Sequence, residues 1–83
     1  MRISIDMDDI EARMAYDRMW SDLKVGERIA VYLDGEIVEY AVTADDVAGE
    51  VTIYAGDEMH RLRKIIRKGR VEIKVERKPD AHD

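Results

Sequence analysis

The 83-residue chain contains no cysteine and no phenylalanine, and only one proline and one tryptophan. Without cysteine, disulfides cannot supplement the core, and neither a thiolate nucleophile nor a cysteine-ligated metal is available. Aromatics are limited to Trp20, Tyr16, Tyr32, Tyr40 and Tyr54, too few to interleave with cations as a base-stacking platform. No apolar run approaches the roughly 20 residues of a membrane helix. Residues 1–9 turn acidic at once and lack the apolar stretch of a signal peptide. The expectation is a cytoplasmic protein without a membrane partner. A chain this short buries only about 60–65% of its unfolded surface, which gives one domain with a thin core.

What the chain has is charge. Charged residues make up 40% of it and the net charge is −5. The signs are unevenly distributed: residues 1–59 carry 15 Asp/Glu against five Lys/Arg, whereas residues 60–78 carry nine Lys/Arg against Glu72 and Glu76. Such asymmetry points either to two halves that neutralise each other in the fold or to surfaces kept for partners.

Hydrophobic periodicity supplies the elements. Ile3, Ile5 and Met7 alternate with polar residues as a first strand. Asp6 is positioned as an N-cap, with Asp8 and Asp9 in the first turn of a helix reaching about Lys24. Ala12, Ala15, Tyr16, Met19, Trp20 and Leu23 fall within an arc of about 140° that faces the core. Ile10 and Met14, one turn apart, interrupt the polar face and suit a partner contact as well as ordinary exposure. Asp34-Gly35 signals a two-residue hairpin turn. It sets Leu33 opposite Glu36, Val31 opposite Val38 and Ile29 opposite Tyr40, and leaves Tyr32 and Ile37 paired on the other face. Residues 43–49 form a turn, and residues 50–55 a third strand of the same meander. Residues 56–69 read as a second helix capped by Asp57, with Met59, Leu62, Ile65 and Ile66 on one face. The rival reading is a hairpin around Lys68-Gly69 with Ile66 opposite Val71. A last strand runs over residues 70–77. The expected fold is a single α+β domain over residues 1–78, in the order β-α-β-β-β-α-β, with two helices on a mainly antiparallel sheet and a disordered tail at 79–83.

The chemistry-bearing residues form no recognisable catalytic or metal pattern. Asp34, Glu36, Asp45, Asp46 and Glu50 do not follow the calcium-loop spacing and lie in two turns at opposite ends of a strand. His60 and His82 are the only imidazoles, and Ser4, Ser21, Thr43 and Thr52 have no base at motif spacing. No glycine-rich phosphate loop is present. The reading is a non-enzymatic protein without cofactor or metal.

The segments VYLDGEIVEYAVTADDVAGEVTIY and KGRVEI resemble short uncharacterised proteins encoded by bacteriophages and prophages, through Asp34-Gly35, Ala44-Asp45, Gly49-x-Val51 and Gly69-Arg70-Val71. The resemblance implies an accessory phage protein, of which anti-defence inhibitors are one group. Anti-CRISPR proteins are often small, acidic, cysteine-poor and catalytically inert, and the chain resembles them in class. No site residue transfers with the resemblance.

The leading expectation is a protein-binding inhibitor or adaptor that uses acidic surface and apolar anchors to occupy the basic groove of a nucleic-acid-handling host defence complex. Asp8, Asp9, Glu11, Ile10, Met14, Tyr32, Ile37, Asp45 and Asp46 are its candidate contacts. The alternatives are direct nucleic-acid binding through Arg61, Arg63, Lys64, Arg67 and Lys68, and a phage structural protein in which the same exposed apolar residues make homo-oligomer contacts.

Overall fold

The computed structural model describes residues 1–56 and 62–79. Their order is β1 (Arg2–Ser4), α1 (Ile10–Ser21), β2 (Glu27–Leu33), β3 (Glu36–Ile37), β4 (Ala41–Asp45), β5 (Glu50–Gly56), β6 (Leu62–Lys68) and β7 (Val71–Arg77). The strands form two antiparallel sheets, ordered β1-β4-β5-β6 and β3-β2-β7.

The helix starts one turn later than its acidic lead-in suggests. Asp9 is the N-cap, accepting the Ala12 N–H at 3.1 Å, while Asp6 accepts the Asp8 N–H in the preceding turn. Glu11 at the first turn and Arg18 at the last complement the helix dipole. The helix ends at Ser21, three residues short of the expected end near Lys24, and the Asp22 N–H is shared by the Arg18 and Met19 carbonyls. Ala12 is buried, and Ala15, Tyr16 and Met19 pack on the core formed by Ile3, Val31, Ala44, Val51 and Val71.

The β2–β3 turn forms as its residues dictate. Asp34 and Gly35 have φ of 52° and 85°, the two left-handed positions of a type I′ turn. Leu33 lies opposite Glu36 and Tyr32 opposite Ile37, and the Val38 N–H donates to the Val31 carbonyl. The expected pairing of Ile29 with Tyr40 does not occur. At Tyr40, φ is 60° and the side chain is exposed; the chain turns away there. β4 instead buries Val42 and Ala44 between β1 and β5, and β7 takes the far edge of β2 over seven residue pairs. The expected single meander is therefore split between two sheets.

The second helix is also corrected. Residues 62–68 form a strand whose pairs with β5 run from Gly56↔Leu62 to Glu50↔Lys68. Ile65 lies opposite Ile53 on the core side, and an otherwise unpaired β5 edge outweighs the helical propensity of Arg, Lys and Leu. The expected cap Asp57 and Met59 lie outside the described residues. The rival hairpin fails too: Ile66 pairs with Thr52, Val71 pairs with Leu33, and the chain crosses between sheets at Gly69-Arg70. The fold thus has one helix and seven strands among the described residues, rather than two helices on one sheet.

Gly49 locks that crossover. Its φ is +69°, its carbonyl accepts the Gly69 N–H at 3.0 Å, and a Cβ there would stand 2.6 Å from the Gly69 carbonyl oxygen. Acidic and basic segments meet across the fold, as Lys64 with Asp6 at 2.6 Å and Lys68 with Glu50 at 4.0 Å. The Arg70 N–H also donates to Asp34 at 2.9 Å. Among the described residues no helix is long and apolar enough to cross a membrane.

Candidate interaction surfaces

The start of α1 gathers five of the candidate contacts. Ile10 is 70% exposed and Met14 54%, one turn apart, and Met7 in the preceding turn is 74% exposed. Asp8, Asp9, Ile10 and Glu11 line one flank of a shallow hollow whose floor carries Ser4, Thr43, Thr52 and Ile66. The floor is a cross-strand row, because Ser4 pairs with Thr43, Thr43 with Thr52 and Thr52 with Ile66. The Ser4 hydroxyl is buried, shares a 2.8 Å hydrogen bond with Thr43 and accepts the Asp6 N–H, so it is held as structure.

The carboxylates differ in how far they are committed. Asp9 caps the helix and pairs with Arg2 at 2.8 Å. Asp6 pairs with Lys64, whose hydrogen bond, reinforced by the Asp8 N–H, holds its carboxyl below the usual range; Asp6 raises Lys64 in return. Asp8 and Glu11 are exposed and form no ion pair with the described residues.

Tyr32 and Ile37 lie on the other sheet, paired across β2 and β3. The Tyr32 hydroxyl donates to Glu76 at 2.7 Å, Arg28 pairs with the second Glu76 oxygen at 3.0 Å, and the Lys74 ammonium sits over the Tyr32 ring. These bonds, that of Tyr32 first, lower Glu76; the same hydroxyl bond raises Tyr32. Tyr32 is therefore part of a cross-strand network, whereas Ile37 stays exposed on the edge strand β3.

Asp45 and Asp46 are also spoken for. Asp45 accepts the Ala48 and Val47 N–H groups, of which the Ala48 bond does most to lower its carboxyl, and Asp46 pairs with the N-terminal ammonium. Among the described residues no group of three His, Asp or Glu side chains converges as a metal-ligand set.

Of the alternative cationic set, Arg61 lies outside the described residues. Arg63, Lys64, Arg67 and Lys68 are all exposed on the edge strand β6, but strand alternation divides them: Arg63 and Arg67 share the face of Ile65, Lys64 and Lys68 that of Ile66.

One feature escapes sequence reasoning. Between α1 and β2 lies a cleft of about 390 Å³ lined by Tyr16, Trp20, Leu23, Ile29, Val38 and Tyr40 among others. The helical stripe assigned Trp20 to the core, yet it is 55% exposed at the cleft mouth. β3 is too short to cover the N-terminal half of β2, and no local sequence pattern encodes that gap.

Compared with protein-family models, curated proteins and solved structures, the chain matches none.

Proposed function

We propose that the protein is a small non-enzymatic inhibitor or adaptor that binds another protein through the exposed start of α1. The observation that carries this reading is the apolar group Met7, Ile10 and Met14, each more than half exposed, beside the exposed carboxylates of Asp8 and Glu11, which form no ion pair with the described residues. Apolar side chains desolvated at the centre of a contact set residence time, and a charged rim speeds encounter with an oppositely charged surface. The suited partner surface is basic with apolar recesses, as in a nucleic-acid-handling protein, and a phage anti-defence role is consistent with the resemblance of the hairpin segments. Asp45 and Asp46 drop out of the proposed contact because both carboxylates serve the fold.

The test compares wild type with Ile10→Asp/Met14→Asp as baits in nuclease-treated host lysate, followed by affinity measurement on the captured partner. Both positions are exposed, so stability is expected to change by less than about 1 kcal/mol. The expected result is capture of a nucleic-acid-binding protein by wild type and weakening by at least about 30-fold in the double variant. Equal capture by both baits refutes the assignment of the surface.

Direct nucleic-acid binding is the second reading, favoured by four exposed cations within β6. Anisotropy titrations with labelled DNA and RNA separate the two. Direct binding with a steep salt slope, lost in Arg63→Glu/Arg67→Glu, supports the second reading against the first.

A further inference from the structure

Among the described residues each sheet has an edge strand of opposite charge to one on the other: β6 on the four-stranded sheet and β3 on the three-stranded one. Residues 64–67 of β6 read Lys-Ile-Ile-Arg, and residues 36–39, which begin with β3, read Glu-Ile-Val-Glu. We propose that β3 of one copy of the chain adds antiparallel to β6 of a second copy, pairing Glu36 with Arg67, Ile37 with Ile66 and, ahead of the turn at Glu39-Tyr40, Val38 with Ile65.

The register follows from charge and from the two faces of each strand. Ile37 and Ile66 are both exposed on outward faces, and Val38 and Ile65 are both half-buried on core faces. Antiparallel pairing joins outward to outward and core to core, with Glu36 opposite Arg67. Parallel pairing also matches the charges, but sets outward Ile37 beside core-side Ile65. A shift of two residues in either direction sets Ile37 against Lys64 or Lys68. Directly opposed side chains lie about 4.5–5.5 Å apart, close enough for unlike charges to stabilise and like charges to destabilise the pair.

The symmetric β6 contact is disfavoured by the same rule. Antiparallel β6 on β6 over its full length opposes Arg63 to Arg67 twice. Edge cations of this kind ordinarily guard a strand against pairing with its own copy; here the guard leaves the acidic edge of another copy as the complementary occupant. The contact is heterologous, so repetition closes a ring or extends a chain of copies. Arg67 forms no ion pair with the described residues and is the anchor, whereas Lys64 serves Asp6. Three residue pairs fall below the roughly 1,200 Å² of a stable standard interface, so the association is transient.

Sedimentation velocity over about 10 µM to 1 mM tests the proposal, a range that covers weak self-association. The weight-average sedimentation coefficient of wild type is expected to rise with concentration and to fall back on adding salt. Arg67→Glu and Glu36→Arg, each checked for wild-type circular dichroism, are expected to remain monomeric when alone. An equimolar mixture of the two is expected to regain association, because each variant keeps one native edge and the two altered residues complement each other. A wild type that stays monomeric throughout overturns the proposal, as does association that survives both variants or is not recovered in the mixture. Binding of an oligonucleotide at Arg67 without self-association likewise overturns it and assigns the edge to phosphate.

Discussion

Tyr40 and Gly49 both adopt left-handed backbone conformations, one with a side chain and one without. At Tyr40 the left-handed turn costs about 1–2 kcal/mol, and a side chain 88% exposed returns little packing. Tyr40→Gly is expected to raise stability by about 0.5–1 kcal/mol after the added freedom of the unfolded chain is counted, measurable by urea denaturation. Gly49→Ala should go the other way, by about 1–3 kcal/mol, since it adds both backbone strain and a contact with the Gly69 carbonyl. Asp34-Gly35 announced its turn in the sequence because that dipeptide tolerates the required φ values. Tyr40 announced nothing, because a tyrosine in an alternating run is indistinguishable from a strand residue until the neighbouring strand is known.

At the scale of elements, α1 and β6 show where local information suffices and where it fails. The stripe of α1 is carried by residues three and four apart, all within one element. Its boundaries were less legible because Asp6, Asp8 and Asp9 are each chemically able to cap, and of the three Asp9 is the one that accepts an N–H of the first helical turn, that of Ala12. Asp9→Ala is expected to cost about 1 kcal/mol and to lower helicity by circular dichroism; Asp9→Asn should restore most of the cap. Residues 62–68 contain apolar positions compatible with either period. Their strand state is set by β5, whose Val51 is fully buried at the centre of the four-stranded sheet. Val51→Ala is expected to destabilise by about 2–3 kcal/mol through lost transfer energy and the cavity left behind.

Charge organises the whole molecule. The carboxyls of Asp6, Asp45 and Glu76 are held below their ordinary values, so their stabilising contribution is complete above the usual carboxylate range and is lost as pH falls through their lowered folded values. Lys64 and Tyr32 are raised, so their contributions are complete below their ordinary values near 10 and are lost as pH rises through their raised folded values. The melting temperature is therefore expected to be flat near neutrality and to decline on both sides, beginning below about pH 5 and above about pH 10. Asp6→Asn should blunt both limbs, because it removes the shared partner of Lys64. Tyr32→Phe should blunt the alkaline limb and reduce the depression of Glu76.

Composition excluded thiol chemistry, and alternation with turn chemistry located the β2–β3 turn, a first strand at Ile3 and the Ala12, Ala15, Tyr16 and Met19 side of α1. Each depends on residues a few positions apart, whose preferred backbone geometry is local. Ile5, Met7 and Trp20, by contrast, are exposed, and residues 43–45 extend β4 where a turn was expected. The candidate surface at Ile10 and Met14 was legible for the same reason: two apolar residues one turn apart stand on a polar face whatever the helix packs against. Tertiary structure alone decided that β4 leaves β2, that residues 62–68 extend along β5, and that Asp45, Asp46 and Tyr32 are absorbed by bonds within the fold. Those outcomes depend on partners tens of residues away, and the free energy of completing a sheet edge or satisfying a carboxylate is not written in the segment that supplies it.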